Sequence, residues 1–303
     1  MKTVIMGAGA MGSLFGGLLT LSGEEVWLVD IWKDHIDAIR SSGLRIEDKG
    51  EVQTIQVNAT TDVASLGKAD LVIFFVKTYH TEKAVRDALA LQKEDTLFLT
   101  LQNGLGNEEV ISQQVDRKKV ILGVTNHGAT LLGPGSIRHA GRGKTSIGEL
   151  DREITVRVTQ ITQMLSQAKI ETEVSSNIHN LVWTKLVVNI GMNALTALTG
   201  FKNGQLLDHP ETLRLMEALV SEAVEVARKK GVQMEGNPFE KVKGVAEATR
   251  ENRSSMGQDF DHKRRTEIDA INGALVKEAN RLGISVPFNQ AITDLVKAIE
   301  KSF

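Results

Sequence analysis

Lys185, Asn189 and Asn193 recur every fourth residue in WTKLVVNIGMN, residues 183–193, a stretch that is otherwise mostly apolar. In an α-helix, positions four apart stack on one face. An ammonium and two carboxamides are costly to bury without partners. The stripe therefore reads either as a partly solvated helix edge or as a polar wall facing a small polar ligand. A lysine partly removed from water gives up its proton more readily. Such a group suits protonation of the alkoxide that develops when hydride reaches a ketone. The two amides can hold hydroxyl or carboxylate groups of the same substrate.

A second polar cluster, ENRSSMGQD at 251–259, contains Asn252, Ser254 and Ser255. The following KRRTEIDAINGAL continues a helical pattern, and helices are expected over 238–252 and 258–282. On periodicity alone, Ser255 or a neighbour caps the helix and Glu267 faces solvent.

The N-terminal KTVIM reads as a buried strand, GAGAMG follows at 7–12, and a helical apolar pattern comes next. Gly7 permits the tight turn, Gly9 lets backbone approach a pyrophosphate, and Gly12 allows close helix–strand packing. Ala10 and Met11 complete the loop, where the helix N-terminus offers amides to an anion. The second strand ends in Asp30, placed to take ribose hydroxyls of NAD and to repel the 2′-phosphate of NADP. Lys33 nearby is a possible phosphate partner, so NADH is favoured over NADPH but not required. Lys77 ends the third core strand and Asn103-Gly104 follows the fourth. The carboxyl ends of strands are where ligands sit in open α/β sheets.

These groups need elements to hold them. Strands alternate with helices to about residue 176, with a hairpin turning at 48–51; the segments at 119–130, 135–141 and 144–150 read as later strands of the same sheet. Beyond 176 only helical patterns remain. The fold class is α/β: a Rossmann-type dinucleotide-binding domain at 1–176 and an all-α substrate domain at 177–303. The chain of 303 residues carries 36 Lys plus Arg against 38 Asp plus Glu, a net charge of -2. That balance gives no reason to expect nucleic acid or an anionic membrane as partner. There are no cysteines, so disulfides, thiolate metal sites and a Cys nucleophile are excluded. The seven histidines show no metal-ligand spacing, and His127 and His139 read as strand or loop residues. The run LVIFFV at 71–76 is far shorter than a membrane span. With a strand beginning at once, a soluble cytoplasmic protein is expected.

WTKLVVNIGMNALTAL resembles the K-x-x-x-N-x-x-x-N-x-L-T-A helix of the ketopantoate reductase (2-dehydropantoate 2-reductase) family. NRSSMGQD and RRTEIDAINGALV are similar to that family's S-S-M-x-Q-D and T-E-I-D-x-I-N-G signatures. GAGAMG, the Val-Lys at 76–77 and the Gln-Asn-Gly at 102–104 match in type and order, so the likeness spans essentially the whole chain. The resemblance implies NAD(P)H-dependent reduction of ketopantoate to (R)-pantoate, a step of pantothenate and CoA synthesis. It implies Lys185 as general acid for the C2 oxygen and Glu267 as the carboxylate that orders it. Asn189, Asn193, Asn252 and Ser255 fall on substrate positions, Ser255 near the carboxylate. Lys77 and Asn103 fall at the cofactor and nicotinamide end, Asn103 within reach of substrate. Asp30-Ile31 departs from the basic residue common in NADPH-using members. It resembles the branch that uses NAD and makes D-2-hydroxy acids from other branched or aryl 2-keto acids. A regulator that binds the nucleotide without turnover would have little use for Lys185 and Glu267 together. The helical half could support a homodimer.

Overall fold

The computed structural model describes all 303 residues, which divide into two compact units: residues 1–102 with 107–178, and residues 103–106 with 179–303.

The first unit is built on an eight-stranded sheet. Its strands are β1 (Lys2–Met6), β2 (Glu25–Val29), β5 (Asn58–Thr60), β6 (Leu71–Phe74), β7 (Leu97–Thr100), β8 (Val120–Thr125), β11 (Thr145–Glu149) and β12 (Thr172–Val174), with β3 (Leu44–Asp48), β4 (Glu51–Ile55), β9 (Gly128–Gly133) and β10 (Ser136–Gly141) elsewhere. The order is β12-β11-β8-β7-β6-β1-β2-β5. All neighbours run parallel except β11 against β8. Side chains alternate faces along a strand, so Ile5 enters one apolar core with Leu14, Phe15 and Leu28, while Val4 and Met6 enter another with Phe74 and Phe98. Burial on both faces explains the unbroken apolar run of β6. The helices of this unit are α1 (Ala10–Leu21), α2 (Lys33–Ser42), α3 (Thr81–Ala88), α4 (Asn107–Ser112) and α5 (Val156–Gln167).

The expected hairpin forms between β3 and β4. Contrary to expectation, β9 and β10 leave the main sheet. They join the hairpin in a separate four-stranded sheet of order β4-β3-β10-β9. The pairing that takes them there, β10 parallel to β3, joins residues far apart in the chain, and local patterning carries no trace of it.

The second unit contains α6 (Ile178–Thr199), α7 (Gln205–Asp208), α8 (Pro210–Lys229), α9 (Pro238–Ala248), α10 (Ser255–Asp261), α11 (Asn272–Leu282) and α12 (Pro287–Glu300). Leu186, Val187, Ile190 and Ala194 of α6 join Met216, Leu219 and Leu275 in its core. By length and composition α6 could cross a membrane, yet 67% of its apolar window is buried inside the protein. The helix expected over 258–282 is broken: α10 stops at Asp261, a non-helical stretch carries Glu267, and a short 3-10 turn at Ile268–Ala270 precedes α11. Lys263, at φ 50°, interrupts the helical backbone.

Candidate active site

In the first unit the glycine loop is shaped by close backbone approach. Gly7 has φ +99°, and a Cβ there would lie 2.6 Å from the Val76 nitrogen. A Cβ on Gly12 would lie 1.9 Å from the Gly7 oxygen, whereas one on Gly9 would meet nothing within 4 Å. The first amide bond of α1 is Ser13 N–H to Gly9 O at 2.9 Å. The amides of Ala10, Met11 and Gly12 precede it, and no side chain caps the helix. Open space before Gly9 and uncapped amides at a helix N-terminus are what a pyrophosphate needs. The loop therefore fits a nicotinamide dinucleotide.

Asp30 is half-buried one residue beyond β2. Its Oδ2 accepts from Ala8 N–H at 2.8 Å and its Oδ1 from Trp32 N–H at 3.0 Å. The carboxylate thus braces the glycine loop as well as standing at the strand end. Lys77 lies three residues past the end of β6 rather than on it, and is half-buried at the start of a 3-10 turn. Gln102 fixes that loop, donating from Nε2 to Val76 O and Thr81 Oγ1, both at 2.8 Å. His127 follows β8, and its Nδ1 lies 3.1 Å from Nε2 of His139 in β10.

The second unit holds the other set. Lys185 and Asn189 are half-buried on α6, while Asn193 is 6% exposed. Burial lowers the Lys185 pKa from 10.5 to about 8, with the Glu267 carboxylate pulling the other way. Glu267 is 7% exposed, against the solvent-facing position that periodicity suggested. The break in the helix is the cause, since it turns the backbone out of register just before this residue. Asn103 belongs to this unit too. Beside it Gly104 has φ +81° and a Cβ would lie 2.4 Å from Ala270 O, the same carbonyl that accepts from Leu105 N–H at 3.0 Å. Only glycine permits that approach, and Ala270 is three residues from Glu267.

Ser254, not Ser255, caps α10, accepting from Gly257 N–H at 2.9 Å. The Ser254 and Thr196 hydroxyls lie 2.6 Å apart, and Thr196 donates to Asn193 O at 2.9 Å. The cap thereby ties α10 to α6 beside Asn193. Ser255 and Asn252 are left exposed. Next to Asn252, whose carbonyl accepts from Asn203 N–H at 3.0 Å, lies a polar side chain that local sequence does not mark. Asn203 is buried, its Nδ2 donates to Thr249 Oγ1 at 2.9 Å, and its Oδ1 has no hydrogen-bond partner. In sequence, Asn203-Gly204 passes for an ordinary turn.

A doubly wound, mostly parallel sheet with this loop, and a helical unit with a desolvated lysine beside a carboxylate, define a nicotinamide-dependent oxidoreductase. Two family descriptions match, Ketopantoate reductase PanE/ApbA over residues 3–152 and Ketopantoate reductase PanE/ApbA C terminal over residues 177–300. The 2-dehydropantoate 2-reductases of Pyrococcus horikoshii and Halobacterium salinarum are 39% and 37% identical, covering 99% of this chain and 98% and 99% of theirs. A solved PanE/ApbA family ketopantoate reductase from Ralstonia eutropha JMP134 superposes with TM-score 0.92 at 33% identity, covering 100% of this chain and 99% of that one. A ternary structure of D-mandelate dehydrogenase with NADH and anilino(oxo)acetate superposes with TM-score 0.94 at 31% identity and the same coverage. The chain belongs to the ketopantoate reductase family, oxidoreductases that act on CH–OH groups with NAD(P).

Proposed function

We propose that the protein reduces ketopantoate to (R)-pantoate, the step that feeds pantothenate and CoA synthesis. The observation that carries this reading is Lys185, an ammonium whose pKa is brought to about 8 on a face shared with Asn189 and Asn193. A general acid works best when its pKa lies near the working pH.

A bound nicotinamide dinucleotide supplies the hydride to C2. Lys185 Nζ gives its proton to the C2 oxygen as negative charge develops there, and is reprotonated from solvent. Glu267 holds the lysine oriented and charged. Asn189 and Asn193 pair the C4 hydroxyl, while Asn103, Asn252 and Ser255 position the carboxylate end. Gly7, Gly9, Ala10, Met11 and Gly12 hold the pyrophosphate, and Lys77 contacts the cofactor. Asp30 takes the ribose hydroxyls, making NADH the preferred reductant. A cytoplasmic homodimer completes the reading.

Asp30 also supports a second reading, an NAD-dependent D-2-hydroxyacid dehydrogenase acting on branched or aryl 2-keto acids. The likeness to D-mandelate dehydrogenase supports it as well. The C4 hydroxyl separates the two. A site built to pair it rejects analogues that lack it, because an unpaired buried amide costs about 1 to 3 kcal/mol. Initial rates of NADH and NADPH oxidation with ketopantoate, 2-ketoisovalerate and phenylglyoxylate decide the matter. Fastest turnover of ketopantoate supports pantoate synthesis. Preference for either of the others with NADH makes the protein a D-hydroxyacid dehydrogenase.

A further inference from the structure

His35 on α2 is fully buried, and both its ring nitrogens are engaged. Gly135 N–H donates to Nδ1 at 3.0 Å, so Nδ1 carries no proton. Nε2 then bears the hydrogen of the neutral ring and donates to Ser13 Oγ at 3.2 Å. Ser13, also buried, donates onward to Ala8 O at 2.7 Å. Ala8 N–H donates to Asp30 Oδ2, whose other oxygen accepts from Trp32 N–H. The Trp32 indole lies flat on the His35 ring, centroids 5.1 Å apart and planes 12° apart. The chain of contacts closes on itself: His35, Ser13, Ala8, Asp30, Trp32 and back to His35.

Two of the members belong to the cofactor site. Ala8 sits inside the glycine loop, between Gly7 and Gly9, and Asp30 is the strand-end carboxylate. The link from Gly135 reaches outside the main sheet. Gly135 lies in the turn between β9 and β10, and its carbonyl accepts from Arg45 N–H of β3 at 2.8 Å. One imidazole thus links the four-stranded sheet to the cofactor loop by hydrogen bonds, beside the apolar packing of Leu44, Ile46 and Ile55 with Leu14 and Phe15 of α1.

We propose that His35 is a positioning residue for dinucleotide binding, setting the glycine loop and Asp30 through Ser13. The proposal rests on the family's use of NAD(P) and is independent of which 2-keto acid is reduced. An imidazolium cannot occupy this place without loss, because a proton on Nδ1 would face the Gly135 N–H, donor against donor. Asp30 is the charged group that acts on the ring and favours its protonation, but burial outweighs it and the pKa is lowered. Binding therefore weakens in acid as the ring becomes charged and the circuit opens.

The test measures NADH affinity by fluorescence titration of the full-length protein, wild type against His35→Phe and Ser13→Ala. Phenylalanine keeps a ring for Trp32 to stack on and removes both nitrogens. Each variant is expected to raise the Kd for NADH about tenfold, the equivalent of one lost buried hydrogen bond. The KM for NADH should rise by more than kcat falls. His35→Gln, which can restore a donor toward Ser13, should recover part of the loss. Wild-type Kd should rise as pH falls below the ordinary histidine value, and His35→Phe should lack that dependence. If both variants bind NADH as the wild type does and lose only thermal stability, the proposal is overturned. Should His35→Phe fail to fold, Ser13→Ala carries the same comparison alone.

Discussion

Glu267 and the burial of Lys185 act on one ammonium in opposite senses, and burial prevails. The pKa falls from 10.5 to about 8 despite the carboxylate. A lysine that must donate a proton is then active below about pH 8 and lost above it. The expected profile of kcat/KM for keto-acid reduction is level at neutral pH and falls about tenfold per unit on the alkaline side. Lys185→Ala should reduce turnover by about 10² to 10⁴, the range for a general acid. Near-normal turnover by that variant would remove Lys185 from the mechanism. For stability the sign is reversed. The unfolded chain binds this proton more tightly, so this group makes the fold more stable as pH rises from 8 to 10.5.

Glu267→Gln removes the charge that raises the lysine pKa. The alkaline limb should move to lower pH, because burial is then unopposed. Glu108 of the first unit has a buried carboxyl also pushed up to about 8, by burial first and by Glu109 second. A limb that stays in place in Glu267→Gln would point to that carboxyl or another group instead of Lys185.

Asp30→Arg should raise the ratio of NADPH to NADH efficiency. The double acceptance from Ala8 and Trp32 adds a second effect, since arginine cannot accept either hydrogen bond. Affinity for NADH should fall by more than lost ribose contacts alone would give. Initial rates with both reductants over a range of concentrations read the two effects separately, and an unchanged ratio would contradict the role given to Asp30.

Ser254 and Ser255 are neighbours with separable duties. Ser254→Ala removes an N-cap and the contact with Thr196, and should lower stability by about 1 kcal/mol in denaturant melts. Ser255→Ala, at an exposed position, should leave the melt unchanged and raise the KM for the keto acid. The reverse pattern would exchange the two assignments.

The α6 stripe was legible because the segment is helical throughout, so positions four apart share a face, and the glycine loop because its spacing is set by backbone contact. Glu267 was misplaced because KRRTE continues a helical pattern of charge that the backbone abandons at Lys263. Asn203 is not legible because nothing local separates an exposed turn asparagine from one buried and bonded to Thr249 at the end of α9. The second sheet escaped because its central pairing, β3 with β10, depends on residues far apart. Local chemistry carried the motifs, and long-range packing decided which of them are buried.

The bond from Leu105 N–H to Ala270 O has a consequence for how the chain is made. During synthesis the loop at 103–106 emerges long before the carbonyl it needs. The segment stays without this partner until Ala270 has left the ribosome, and the core residues of α11 and α12 that complete the second unit follow later still. Closing so long a loop is slow relative to local helix formation. Nascent chains halted before Ala270 should therefore expose the Asn103–Gly106 segment to protease, and chains halted well beyond it should protect it.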